Sequence, residues 1–413
     1  MKILLVGHAC NPCWGSEPAF TWNWAWHLSQ NHQVWVLTHP WGKDRIEEFL
    51  EARPNPKLHF IWVKLPGRLA WDPAIHTHVS SWRYILWQRA ALRQAQQLQR
   101  QVRFNIVHHV SWGTVSEPPL LWHLPTPFVW GPVGGGQVAP SVLRSYLGEA
   151  KRAELFREVR MRLVSLRPAL RKTARKSAMI LATNHETAQM LERAGARHVR
   201  LFLDTGIGQQ FLPPEVPQRV PGKQVTLLWA GRLQPRKCLP LLLDALAQCQ
   251  DLSVRLLVAG KGAKRGEWEA MSQRLGLNNR VSFLGHIDYS RMPELYRSAD
   301  VFIFTSLRDA FGSQVLEAMA SGLPIIALDH QGVRAFIPDT AGVKVPIASP
   351  QETVSRLASA IRLMVSSPQL RIQKGQAAWE FARAQTWTKR AEQMGHWYEQ
   401  IVGERSIQQS QVN

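Results

Sequence analysis

A chain of 413 residues is long enough for two domains of ordinary size rather than one. With 45% hydrophobic and 19% charged residues it belongs with globular chains and not with disordered ones. A net charge of +20 favours phosphorylated or polyanionic partners, or an acidic membrane surface, and does not choose among them.

The first apolar run, residues 2–7, is too short for a secretory leader and reads as a buried strand. No stretch reaches the roughly 18 uncharged apolar residues of a spanning helix. The expectation is a cytoplasmic protein, soluble or peripheral on the inner face of the membrane. Four cysteines in a chain of this size make no disulfide scaffold. Cys10-Asn-Pro-Cys13 has redox or metal spacing, but no second pair completes a zinc site, and no metal is expected.

After the first strand come the loop HACNPCWGSEP and a helix over residues 19–30. Strands follow at 34–38 and 58–64, a long helix at 80–100, and strands at 105–110 and 128–130. The glycine-rich loop 131–136 comes next. Residues 149–177 form a basic helix with an apolar stripe of Leu155, Phe156, Val159, Leu163 and Leu166, which Pro168 breaks or kinks. Two readings stand for it: a solvated surface helix with a core stripe, or contact with an anionic membrane face. A strand at 178–183 and a helix at 187–194 complete this half. Thirteen of the 18 tryptophans lie before Gly131, so aromatic packing, or an acceptor cleft, belongs to the first half.

Residues 209–222, with four prolines, read as an interdomain linker. The βα alternation then restarts. Strands are expected at 225–230, 254–259, 281–284, 299–306 and 324–328, with helices between them and three closing helices. Alternation of this kind implies a parallel sheet covered on both faces.

Three constellations in the second half carry chemistry. Gly231-Arg232, at the end of a strand, precedes Lys237 by five residues. A glycine there admits a phosphate to the backbone, Arg232 can grip its oxygens bidentately and Lys237 adds a point charge. The alternative is two surface cations in a basic chain. Gly260-Lys261-Gly262 follows another strand and shapes either a nucleotide crevice or an empty turn. Third, a tight turn joins the strand at 299–306 to a helix beginning near Ser313. The N–H groups of Ser313, Gln314 and Val315 at that helix start suit a β-phosphate. Glu317 is spaced to accept from two adjacent ribose hydroxyls, and Asp309 from hydroxyls of a sugar.

These stretches resemble the retaining GT-B glycosyltransferases of family four, the glycosyl transferases group 1. That family carries Gly-Arg…Lys-Gly and then Glu-x-Phe-Gly-x-x-x-x-Glu. Here they stand as Gly231-Arg232…Lys237-Cys238 and as Asp309-Ala310-Phe311-Gly312-Ser313-Gln314-Val315-Leu316-Glu317. Asp309 in place of a glutamate bears on sugar identity, and Cys238 in place of a glycine reads as a minor change at a helix start. The resemblance implies an α/β protein of two Rossmann-like domains facing across a cleft. An N-terminal acceptor domain takes 1–205, a nucleotide-sugar domain takes 206–385, and a helix over 386–413 packs back on the first domain. Asp204-Thr205-Gly206-Ile207 resembles the crossing between them, and Thr386 to Ala391 the start of the closing helix.

In the first half the resemblance is thinner. Gly15-Ser16-Glu17 is similar to the family's loop near donor phosphate and acceptor. It places Gly15 with the donor, and Ser16 and Glu17 with the acceptor. The family's strand ending in His-x-His corresponds to His108-His109 here, so the match is open by one residue. Alternation along a strand turns only one of them to the cleft, and His109 is favoured as the catalytic member, with His108 and Trp130 beside the acceptor. The expected donor contacts are Gly231, Arg232, Lys237, Gly260, Ile287, Asp309, Phe311, Gly312, Ser313, Gln314, Val315 and Glu317. Among these, Arg232, Lys237 and Asp309 also serve catalysis.

The implied reaction moves a hexose from a nucleoside-diphosphate sugar, a co-substrate, to an acceptor hydroxyl with retention, without a metal or other cofactor. The acceptor is a saccharide, a lipid-linked glycan or a small molecule. A nucleotide-sugar epimerase and a non-catalytic anion or nucleic-acid binder are the alternatives, although no nucleic-acid module is recognisable and no such partner is expected.

Overall fold

The computed structural model describes residues 1–15, 17–65, 81–219 and 222–410. It divides into two compact units, and the chain crosses between them at 136/137, 161/162, 204/205 and 386/387. One unit comprises Met1–Gly136, Arg162–Asp204 and Trp387–Asn413; the other comprises Gln137–Met161 and Thr205–Thr386.

The first unit holds a seven-stranded parallel sheet. Its strands are β1 (Lys2–Gly7), β2 (Gln33–Thr38), β3 (Leu58–Trp62), β4 (Ile106–Ser111), β5 (Phe128–Val133), β6 (Met179–Ala182) and β7 (Val199–Leu201). They lie in the order β3-β2-β1-β4-β5-β6-β7. Strands such as KILLVG and IVHHVS are buried almost throughout, as a sheet with helices on both faces requires. β5 runs through Val133, so part of the expected glycine loop is strand. The closing helix Trp387–Ser410 packs here. Trp387, Ala391, Met394 and Tyr398, three and four residues apart, join Ile3, Leu5, Trp24 and Val36 in one core. Many of the tryptophans are core: Trp24, Trp87 and Trp130 are fully buried, whereas Trp14 and Trp82 are exposed.

The second unit holds six parallel strands: β8 (Val225–Ala230), β9 (Val254–Ala259), β10 (Val281–Gly285), β11 (Val301–Phe304), β12 (Ile325–Leu328) and β13 (Gly342–Val345). Their order is β10-β9-β8-β11-β12-β13. Both sheets thus reverse direction once, between β1 and β4 and between β8 and β11. At such a switch point the loops leaving the strand carboxyl ends diverge and leave a crevice for ligands.

One sequence expectation needs correction. Residues 137–161 do not go with the first domain. Ala139, Leu143 and Leu147 are buried in the second unit's core, and the Tyr146 hydroxyl donates to Asp244 at 2.8 Å. The basic stretch 149–177 breaks at Pro168, as expected. It forms Lys151–Val164 and Pro168–Lys176, with Pro168 opening the second. There its missing N–H and fixed φ cost nothing.

Candidate functional site

At the second switch point the loop after β8 and the loop after β11 are stitched together. Leu307 N–H donates to Arg236 O at 2.8 Å, Thr305 Oγ1 to Lys237 O at 3.1 Å, and Trp229 Nε1 to Thr305 Oγ1 at 3.1 Å. These bonds fix the backbone from which the charged side chains project. Lys237, buried against the Phe304 ring, is ion-paired with Asp309 Oδ2. Arg236 Nη1 lies 3.1 Å from Asp309 Oδ1, and Ser306 Oγ donates to Oδ2 at 3.0 Å. Burial alone raises the Asp309 carboxyl, but Lys237, Arg236 and the Ser306 bond outweigh it and hold it below the usual carboxylate range. Asp309 was expected to face sugar hydroxyls; in the structure its oxygens orient two cations. Its own N–H donates to Gln331 Oε1 at 2.9 Å, and Gln331 Nε2 donates onward to Val138 O at 2.9 Å. Arg232, by contrast, is exposed.

The helix Ser313–Ala320 starts beside this cluster, after Gly312 at φ 100°. Only glycine takes that conformation readily, and a Cβ there would stand 3.1 Å from Phe304. No side chain caps the helix, so the Ser313 and Gln314 N–H groups are left for another acceptor. Phe311 and Val315 are buried, so their side chains pack, and the Val315 N–H, expected to meet a phosphate, donates instead to Gly312 O at 3.0 Å. Glu317 is buried too. Its Oε1 accepts from the Tyr289 hydroxyl at 3.1 Å and its Oε2 from the Tyr296 hydroxyl at 2.9 Å. Burial raises its pKa to about 7, against the pull of those two bonds. Each oxygen keeps a further lone-pair direction for a ribose hydroxyl.

The glycines divide in role. Gly231 has ordinary room for a Cβ, at 3.5 Å from Trp229. Gly260 stands at φ 141°, and a Cβ there would meet Gly231 O at 1.8 Å. The second motif therefore packs one loop backbone on another. Cys238 sits at φ 50°, ψ 47°. The family glycine holds that left-handed position without strain, whereas a cysteine costs about 1–2 kcal/mol. The departure is a backbone effect and not the minor change expected. Ile287 is half-buried beyond the end of β10.

At the first switch point the two histidines separate as strand alternation requires. His108 is a satisfied core residue: Nε2 donates to Gly131 O at 2.6 Å, so Nδ1 accepts from the Tyr398 hydroxyl at 2.5 Å. His109 turns to the opposite face, where Tyr84 Oη lies 2.9 Å from its Nε2. Tyr84 Oη also accepts from Trp112 N–H at 3.0 Å, so its own proton goes to His109. The ring then carries its proton on Nδ1, and that buried nitrogen has no partner among the described residues. Burial lowers His108 to about 4 and His109 to about 3, so both are neutral near pH 7. Glu17 Oε1 accepts from Gly113 N–H at 3.0 Å, and burial raises its carboxyl above the usual range. Trp130 is fully buried, so it supports this region from beneath. Gly15 is half-buried, and Ser16 lies outside the described residues. Cys10 is buried and Cys13 exposed, and both are free thiols.

Sequence reasoning missed Arg236, Gln331, Tyr289, Tyr296 and Tyr84. Arg236 had a signal, since it adjoins Lys237; the others reach the sites from distant elements and had none.

Residues 215–380 match the family described as glycosyl transferases group 1. The phosphatidyl-myo-inositol mannosyltransferase of Mycobacterium leprae is 34% identical over 183 residues, 43% of this chain and 47% of that protein. The D-inositol 3-phosphate glycosyltransferase of Corynebacterium glutamicum is 27% identical over 197 residues, 46% of each. The chain thus spans about half the length of the curated relatives it matches. Among solved structures, sucrose-phosphate synthase of Thermosynechococcus elongatus aligns with a TM-score of 0.68 at 20% identity, over 98% of this chain and 99% of that one. Anabaena HepE in complex with UDP and glucose gives 0.60 at 17%, over 97% and 100%. At these identities the likeness establishes the fold: two Rossmann-like domains of the GT-B class.

Proposed function

Because the chain carries a glycosyl transferases group 1 domain over residues 215–380, we propose that it transfers a hexose from a nucleoside-diphosphate sugar to an acceptor hydroxyl, with retention and without a divalent metal. The observation that carries this reading is the loop-held group of Arg236, Asp309 and Lys237 at the switch point, beside exposed Arg232 and an uncapped helix start. A departing diphosphate gathers negative charge, and preorganised cations and N–H dipoles stabilise it most where they need not move. Arg232, Arg236, Lys237 and the Ser313 and Gln314 N–H groups serve that purpose. Glu317 takes the ribose hydroxyls, and Asp309 sets the direction of the two cations. In the transfer, the acceptor oxygen bonds to the anomeric carbon as the bond to the β-phosphate oxygen breaks. The acceptor proton passes to the leaving phosphate. His109 and Glu17 of the first unit belong to the sugar and acceptor side. The acceptor is a saccharide, a lipid-linked glycan at the inner face of a membrane, or a small hydroxylated molecule. The names of the relatives, which include an inositol phosphate glycosyltransferase and a mannosyltransferase, favour a hydroxyl acceptor.

A thermal-shift panel of nucleoside diphosphates and their sugars tests the donor, with transfer then assayed in the best of them. Arg232→Ala, at an exposed position, leaves the fold intact and lowers kcat by about 10²–10³-fold. Near-normal turnover in that variant, with an active parent, rejects the assignment of the diphosphate site. Isomerised sugar from donor alone makes the protein an epimerase instead.

A further inference from the structure

We propose that the helix Lys151–Val164 docks this protein on an anionic lipid surface, with its outward apolar stripe seated among the headgroups. The proposal does not depend on the reaction proposed above. At about 3.6 residues per turn, Glu154, Glu158, Met161 and Val164 share one side of the helix, and Leu155, Phe156, Val159 and Leu163 the other. Glu154, Met161 and Val164 are buried. The opposite four are 49%, 72%, 51% and 56% exposed, and Leu166, just past the helix end, is 64% exposed. The stripe is therefore not the core seam of an ordinary surface helix, because the core lies behind it. Soluble monomers rarely leave so many large apolar side chains together in water.

Charge decides the occupant. Both acids of the helix are turned inward and engaged: Glu154 lies 3.1 Å from Arg308 Nε, and Glu158 is ion-paired with Arg144. Lys151, Arg160 and Arg162 flank the stripe and Arg152 stands at its N-terminal end, all exposed. An apolar strip rimmed only by cations suits an interface with phosphates outside and acyl chains beneath. A second copy of the chain fits poorly, since two such faces bring like charges together. No described helix is long and apolar enough to cross a membrane, so the contact lies in the interface plane.

The full chain is floated with vesicles of phosphatidylcholine alone and of phosphatidylcholine with phosphatidylglycerol, and its sedimentation is followed without lipid. The expected result is binding to the anionic vesicles only, weakened by salt. Phe156→Ser with Leu163→Ser lowers that affinity by about tenfold or more. Arg152→Gln with Arg160→Gln lowers it by roughly twenty-fivefold, at about fivefold per cation. All four positions are exposed, and unchanged melting of both variants verifies the fold. Three results overturn the proposal: no flotation of the parent, equal binding to neutral vesicles, or unchanged binding in both variants. A concentration-dependent dimer that Phe156→Ser with Leu163→Ser abolishes, without vesicle binding, assigns the stripe to a second copy.

Discussion

The two switch points occupy the same place in two similar sheets and are built from opposite chemistry. Between β8 and β11 the loops carry ionised groups: Lys237 and Arg236 on Asp309, and Arg308 on Glu154. Between β1 and β4 neutral rings predominate. His8 stacks on His39 at 5.5 Å between ring centroids and meets the edges of Tyr84 and Trp87, and His109 is held by Tyr84. Burial keeps His8 at about 3 and His39 at about 4, so these rings are uncharged hydrogen-bonding groups near pH 7. A diphosphate needs the first kind of surface; a sugar hydroxyl, which is neutral and both donates and accepts, fits the second. The two crevices differ in what they do with charge, not in their architecture.

Acid separates the two most strongly. A histidine whose folded pKa is depressed adds stability that is present above its unfolded value of 6.5 and lost as pH falls toward the folded value. For His8, His108 and His109, at about 3, 4 and 3, the loss at pH 5 is about 2 kcal/mol each, roughly 6 kcal/mol together. Hydrogen exchange of the full chain at pH 7 and pH 5 is expected to show β1 and β4 losing more protection than β8 and β11, beside which His330, held at about 4 by burial, responds in the same sense. Equal loss in both sheets removes the contrast.

The sequence made this contrast only partly legible. Alternating strands and helices, the order of the elements and the Gly-Arg…Lys and Asp…Glu spacings are local patterns, and the second crevice assembles from two such runs. Residues 137–161 escaped because a helix with one apolar face does not say which of two cores it covers. Tyr84 escaped for a related reason: it comes from a helix remote in sequence, and nothing in WRYILW distinguishes a buried hydroxyl from an exposed one. The orientation of Asp309 toward Lys237 depends on Arg236, Ser306 and Gln331 converging on it, which spacing does not encode.

Within the charged crevice Glu317 responds to pH in the sense opposite to the histidines. A carboxyl raised from 4.5 to about 7 in the folded state is most comfortable below 4.5, and stability falls as pH rises through about 7. The full swing is on the order of 3 kcal/mol. Glu317→Gln keeps an acceptor for one tyrosine hydroxyl and cannot ionise. Between pH 5 and pH 8 the second unit of the parent is expected to lose more protection than that of the variant. If parent and variant respond alike, Glu317 is not the group that titrates.

The smallest effect is the most specific, and it probes the neutral crevice alone. Tyr84→Phe removes the hydroxyl that accepts from Trp112 and donates to His109. Losing one buried partner of this kind costs about 1–3 kcal/mol, which a merely structural tyrosine also predicts. The tautomer tells the two apart. With Tyr84 in place, His109 Nε2 accepts and Nδ1 keeps the proton, leaving a buried N–H for an oxygen that the described residues do not supply. A sugar hydroxyl or a water meets that requirement, and an anion does not need it. Without the tyrosine, either nitrogen is free to carry the proton. The nitrogen chemical shifts of the His109 ring are expected to report the Nδ1–H form in the parent and a mixture, or the Nε2–H form, in the variant. An Nε2–H ring in the parent breaks the chain of donors from Trp112 through Tyr84, and with it the reading of this crevice as one that offers neutral donors to sugar oxygens.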